Sequence, residues 1–182
     1  RIGGRGWASS FGSSQLDPEA TARVLVALSE ARAAGIETPR AAIEIALGYL
    51  NESLANERDP ERRAWILWGQ SAAGQTSGLG ADDLALGRMH RERSGLSTRA
   101  KGALACALAE SGKGAMAAEV ADSLRVSGDM SVESRALALL GRTCAKVMAP
   151  ADFEALYGTR PWSSTVGRGL ACAASAKAGA LA

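Results

Sequence analysis

The sequence predicts an all-α fold, an α/α toroid of about nine helices built as one domain over residues 1–182. Three observations lead there. Helix-start residues, Asp or Ser followed by Pro or a helix former, recur along the chain and are answered by Gly stops. No stretch alternates apolar and polar residues long enough for a strand, and Val and Ile never cluster between turn signals. The helix starts also repeat, at a drifting interval within the range of stacked helical hairpins.

Asp17-Pro18-Glu19 opens the first helix, with an N-cap followed by Pro at the first helical position, and the helix carries Val24, Leu25, Leu28 and Ala31 to a stop at Gly35. Thr38-Pro39 repeats the device at once, and Ile43, Ala46, Leu47 and Leu50 form an apolar stripe at three- and four-residue spacing. Asp59-Pro60-Glu61 begins a third helix through Trp65, Ile66 and Trp68 to Gly74. A fourth runs from Ala81 to Arg93. Ser97 starts a fifth on Ala100, Ala103, Leu104, Ala107 and Leu108, ending at Gly112, and a sixth covers Ala115 to Leu124. Ser131 caps a seventh through Leu137 and Leu140. Phe153, Leu156 and Tyr157 mark a short eighth, and Ser164 opens a ninth that reaches Gly179.

The odd-numbered helices share a design. Asp59 to Gly74, Ser97 to Gly112 and Ser164 to Gly179 each span fifteen residues, or four turns. Odd helices start at 17, 59, 97, 131 and 163, intervals of 42, 38, 34 and 32 residues. Small faces on the fifth (Ala100, Ala103, Ala107), seventh (Ala136) and ninth (Ala171, Ala174) let neighbours approach closely, and alternating inner and outer helices would then curve the stack toward a ring. Regular tetratricopeptide repeats are disfavoured by the drift in repeat length.

Composition excludes several classes. Lys and Arg number 21 against 19 Asp and Glu, spread along the chain, so no basic stripe for nucleic acid emerges. No apolar run reaches the ~20 residues of a membrane span. Arg1 stands where Met would open a chain, and a Gly-rich loop follows directly, so the chain is expected to be part of something longer. Cys106, Cys144 and Cys172 are far apart and lie among Ala and Leu, which reads as three reduced, poorly reactive small hydrophobes in the core. Their spacing does not suit zinc, and His90 has no second His to join it, so no metal or cofactor is expected.

Enzyme signatures are weak. The only paired acid, Asp82-Asp83, stands at the start of the fourth helix, where carboxylates complement the helix dipole. His90 lies in GRMHRERSG, a charged stretch that reads as a solvated helix end and makes a poor general base. No Gly-x-Ser-x-Gly elbow is present.

The opening stretch carries the one family resemblance. GGRGW, then Phe11, a polar loop and DPEATARVLVALSEARAAGIETPRAAIEIALGYL resemble a block of bacterial alpha-2-macroglobulin-like proteins, with Gly3, Gly4, Gly6, Trp7, Thr21, Ala22, Leu28, Ala31, Gly35, Pro39 and Leu50 in matching places. Arg5 departs from the pattern, which usually has Trp there. RERSGLSTRAKGALACALAESGKGAMAAEVADSL resembles the hairpin that follows in that family. The resemblance implies the thioester domain, a toroid, but no Cys-Gly-Glu-Gln occurs here.

It further implies a non-catalytic module with a scaffold or target-trapping role in a secreted, periplasmic or cell-surface parent. Its partners would be the parent's other domains and captured proteases or other proteins. Terpenoid cyclases and protein prenyltransferases, which share the toroid, are the natural competitor, and a plain α-solenoid adaptor is the third reading. Gly3, Gly4 and Gly6 permit tight turns, while Trp7 and Phe11 supply apolar area to seal the end of the first hairpin. The functional alternative is an aromatic binding rim of Trp7, Phe11 and Trp162, the last from RPWSS.

Overall fold

The computed structural model describes residues 5–9, 15–77, 81–125 and 130–147, with 169, 172–174, 177 and 179 beyond them. Among the described residues the chain is all-α and has no strand. The helices are α1 Pro18–Ala33, α2 Arg40–Asn56, α3 Pro60–Ser77, α4 Asp83–Arg91, α5 Thr98–Glu110, α6 Gly114–Asp122 and α7 Val132–Cys144, with a 3-10 turn at Arg93–Gly95. The eighth expected helix lies outside the described residues. Of the ninth, residues 169, 172–174 and 177 are helical.

Local chemistry explains most boundaries. Asp17 accepts from the amides of Glu19 and Ala20, Ser97 from that of Ala100 and Ser131 from that of Ser134, so each of these side chains satisfies a first-turn N–H. Asp59 accepts from the Glu61 amide in the same way. Gly35, Gly112 and Gly179 take φ of +80°, +74° and +71°, the left-handed conformation of a helix stop.

Two expected boundaries are corrected. Thr38 is not a cap, because Pro39 occupies the N-cap position and makes no side-chain bond, while the buried Thr38 hydroxyl meets no partner. Gly74 does not stop α3, which continues to Ser77.

The odd helices form an inner row, α1 on α3, α3 on α5 and α5 on α7, and the even helices cover it from outside. Burial follows this order. On α3 every residue from Ala64 to Gly74 is buried, as is Gly102–Leu108 on α5 and 135–141 on α7. A helix buried on every side belongs in the middle of the molecule, and α3 fills that place with Trp65 and Trp68 stacked 4.9 Å apart. One apolar cluster runs from Ala22 and Leu25 on α1 to Leu137 and Leu140 on α7 and includes Ala174.

Small residues set the spacing of the inner row. A Cβ at Gly69 would lie 2.8 Å from Ala22 Cα, so α3 presses on α1. A Cβ at Gly102 would lie 2.4 Å from the Leu137 carbonyl oxygen, and one at Gly141 would lie 2.9 Å from Gly102 Cα. At the α5–α7 crossing, then, backbone meets backbone.

That approach overturns the expectation of three reduced, buried cysteines. Cys106 lies one turn beyond Gly102 and Cys144 one turn beyond Gly141, so the crossing brings their Cα atoms to 5.1 Å and the two are joined in a disulfide. Cys172 is free and exposed, a second departure from the expected burial.

Candidate functional site

Position two after each cap meets at one end of the inner row. Glu19 follows Asp17, Glu61 follows Asp59, Arg99 follows Ser97 and Glu133 follows Ser131. Arg99, on α5, reaches all three carboxylates: its Nη2 lies 3.1 Å from Glu133 and 3.8 Å from Glu19, and its Nε lies 3.6 Å from Glu61. Arg23 of α1 bonds both Glu19 at 2.6 Å and Glu133 at 2.9 Å, and its guanidinium stands 4.5 Å over the Trp65 ring. The carboxylates occupy first turns, where the helix dipoles favour negative charge, and the two arginines neutralise most of what remains.

The opposite end has a smaller counterpart. Lys177 Nζ lies 2.7 Å from Glu30 at the end of α1 and 3.2 Å from Glu110 at the end of α5. Burial alone would lower the Lys177 pKa, but the bonds and charges of Glu30 and Glu110 outweigh it and hold the ammonium above its ordinary value.

Of the expected rim residues, Trp7 is half-buried and packs against the core, while Phe11 and Trp162 lie outside the described residues. Trp7 is also tied through its backbone. Its N–H donates to Thr21 Oγ1 at 3.0 Å, and its carbonyl accepts from the Thr21 hydroxyl and, at 2.9 Å, from the Asp17 amide. A Cβ at Gly6 would lie 2.8 Å from Thr21 Oγ1 and 3.1 Å from the Tyr49 ring, so only glycine lets the loop settle between α1 and α2. Arg5 pairs with Glu52 on α2.

The weak enzyme candidates take structural positions. Asp82 caps α4 by accepting from the Leu84 amide, and Asp83 pairs with Lys113 at 3.2 Å. His90 is not the solvated group expected: its side chain is only 13% exposed, with Nε2 3.1 Å from Glu119 Oε2 on α6. The expectation failed because neighbours in sequence do not report the inward face of a helix. Among the described residues no group of three or more His, Cys, Asp or Glu side chains could hold a metal ion, and no helix is long and apolar enough to cross a membrane.

Sequence reasoning also missed a cleft. A cleft of ≈ 460 Å³ opens between α2 and α4, with α3 as its floor. Gln70, 1% exposed, lines it and donates to Asn51 Oδ1 at 2.6 Å, while the Gln70 Oε1 has no partner. A buried acceptor left so costs ~1–3 kcal/mol. The signal was present in the sequence as one amide in a run with no charged residue, WILWGQSAAG.

Comparison with protein-family models, with curated proteins and with solved structures finds no match.

Proposed function

We propose that the chain is a non-catalytic helical module of a bacterial macroglobulin-like protein, a sector of an α/α toroid with a scaffold or target-trapping role in its parent. The observation that carries the reading is the union of the opening block with the helices behind it. Gly6 and Trp7 dock on Thr21 and Tyr49, so the glycine, the tryptophan and the threonine of the resembling block act together as one seal on α1 and α2.

Two further features fit. The inner row curls, since Arg99 on α5 touches α1, α3 and α7 together. A disulfide between Cys106 and Cys144 suits a protein that works in an oxidising compartment, in keeping with a secreted, periplasmic or cell-surface parent. The remaining domains of the parent and the captured protease or other protein are the partners in this reading.

The test uses the full-length parent chain. It is incubated with an active protease and separated by size, and each fraction is assayed on a small peptide substrate and on a large protein substrate. Trapping predicts that the protease co-migrates with the parent and keeps its peptide activity while losing access to the large substrate. A protease that elutes alone, with both activities intact, would contradict the reading.

A further inference from the structure

We propose that the cleft between α2 and α4 binds a short acidic peptide segment, holding carboxylates by Arg63 and Arg88 and a peptide group by Gln70. The lining gives the chemistry. Arg63 and Gln70 stand on the α3 floor, Asn51, Leu54 and Ala55 on the α2 wall, and Asp82, Leu84, Ala85 and Arg88 on the α4 wall.

Gln70 states what is missing. Its amide is buried and half-used, with Asn51 on one side and a buried acceptor without a partner on the other. A sulfate, all acceptor oxygens, would face that acceptor with like polarity, and a phosphate could meet it only through a P–OH. A peptide group offers both an N–H and a C=O, so it completes the Gln70 amide whichever way the two facing amides are set.

Charge selects an acidic segment. Two guanidiniums face one carboxylate in the cleft, and Asp82 already spends Oδ1 on the Leu84 amide. Arg63 keeps donors to spare beyond its bond to the Glu57 carbonyl, and the Arg88 side chain has no ion pair among the described residues. Spacing selects an extended one. Arg63 and Gln70 are seven residues apart on one helix, ~10 Å along its axis, and an extended peptide covers that in about three residues at ~3.3 Å each. Leu84, 82% exposed, and Leu54 supply apolar surface for an aliphatic side chain between the polar anchors. The volume lies within the ~300–1,000 Å³ usual for ligand sites.

The experiment titrates the chain with acetyl-Glu-Leu-Ala-Glu-amide and with its neutral counterpart acetyl-Gln-Leu-Ala-Gln-amide by isothermal calorimetry. The acidic peptide should bind about tenfold tighter, the effect of one charge-assisted pair worth ~1.4 kcal/mol. Arg88→Gln, on the exposed wall, should reduce that preference and Arg63→Gln with Arg88→Gln should remove it, the neutral peptide keeping its affinity, while Gln70→Leu should weaken both peptides. Circular dichroism of each variant checks its fold. Equal affinity of the two peptides, no saturable binding of either, a preference that survives in full when Arg63 and Arg88 are both changed to Gln, or inorganic phosphate binding as tightly as the acidic peptide would each overturn the proposal.

Discussion

Arg23 on α1 bonds Glu133 on α7 at 2.9 Å, across 110 residues of chain. Four parallel helices laid in a flat row would hold the outer two three spacings apart, ~24–30 Å, beyond the reach of any side-chain pair. The inner row is therefore bent until its ends approach. Arg99 marks the inside of the bend, because it touches the first turns of the other three inner helices.

The Cys106–Cys144 disulfide closes a loop of 38 residues. Loop-closure entropy for that length corresponds to ~3–4 kcal/mol at 25 °C, so Cys144→Ala or reduction should lower unfolding stability by about that much in denaturant titrations. In the oxidised native protein, thiol labelling should find a single fast-reacting group, Cys172. Three labelled thiols without reductant would contradict the pairing.

Two glycine-to-alanine changes should move stability in opposite directions. Gly102→Ala forces a methyl to 2.4 Å from the Leu137 carbonyl, a backbone atom that cannot rotate away, and should cost at least ~1–3 kcal/mol. Gly48, mid-helix on α2, has nothing within 4 Å of the same position, so Gly48→Ala should gain ~0.5–1 kcal/mol from the better helix former. Chemical denaturation of the pair, side by side, separates close packing from propensity.

Trp7→Ala tests the seal at the end of the first hairpin. Because Trp7 is half-buried against the core, the loss should be about 2–3 kcal/mol, short of the ~3–5 of a fully buried aromatic. A loss below ~1 kcal/mol is that of an ordinary surface site and would return Trp7 to the binding rim.

How much of this was legible follows the range of the forces involved. The caps at Asp17, Asp59, Ser97 and Ser131 were readable, since a cap is chemistry between neighbours, and their regular recurrence already implied equivalent helices. Thr38 misled because Pro39 can itself take the N-cap position, and Gly74 because a buried helix tolerates glycine under tertiary packing. The disulfide was out of reach of a local reading. Its only trace is a glycine one turn before each partner, Gly102 before Cys106 and Gly141 before Cys144, and that pattern gains meaning once α5 is known to cross α7. Gln70 was hidden for the same reason, its cleft being made by three helices at once.

Lys177 gives the fold an alkaline limit. Its pKa is raised above 10.5 in the folded protein by Glu30 and Glu110 despite burial, so its contribution is fully present below the unfolded lysine pKa and is lost as pH rises through the folded one. Stability measured from neutral pH into the alkaline range should show wild type above Lys177→Met at first, with the gap closing above pH ~10.5. A gap that stays constant would mean that the ammonium charge is not what joins α1 to α5.

The bend of the inner row is most directly measured as a distance. Spin labels at Ala20, on the first turn of α1, and Val132, on the first turn of α7, in a Cys172→Ala background with the disulfide intact, report the gap between the two ends. The curled row predicts a backbone separation of no more than two helix spacings, ~16–20 Å, whereas a separation of three or more, ~24–30 Å, would contradict it and leave an open solenoid.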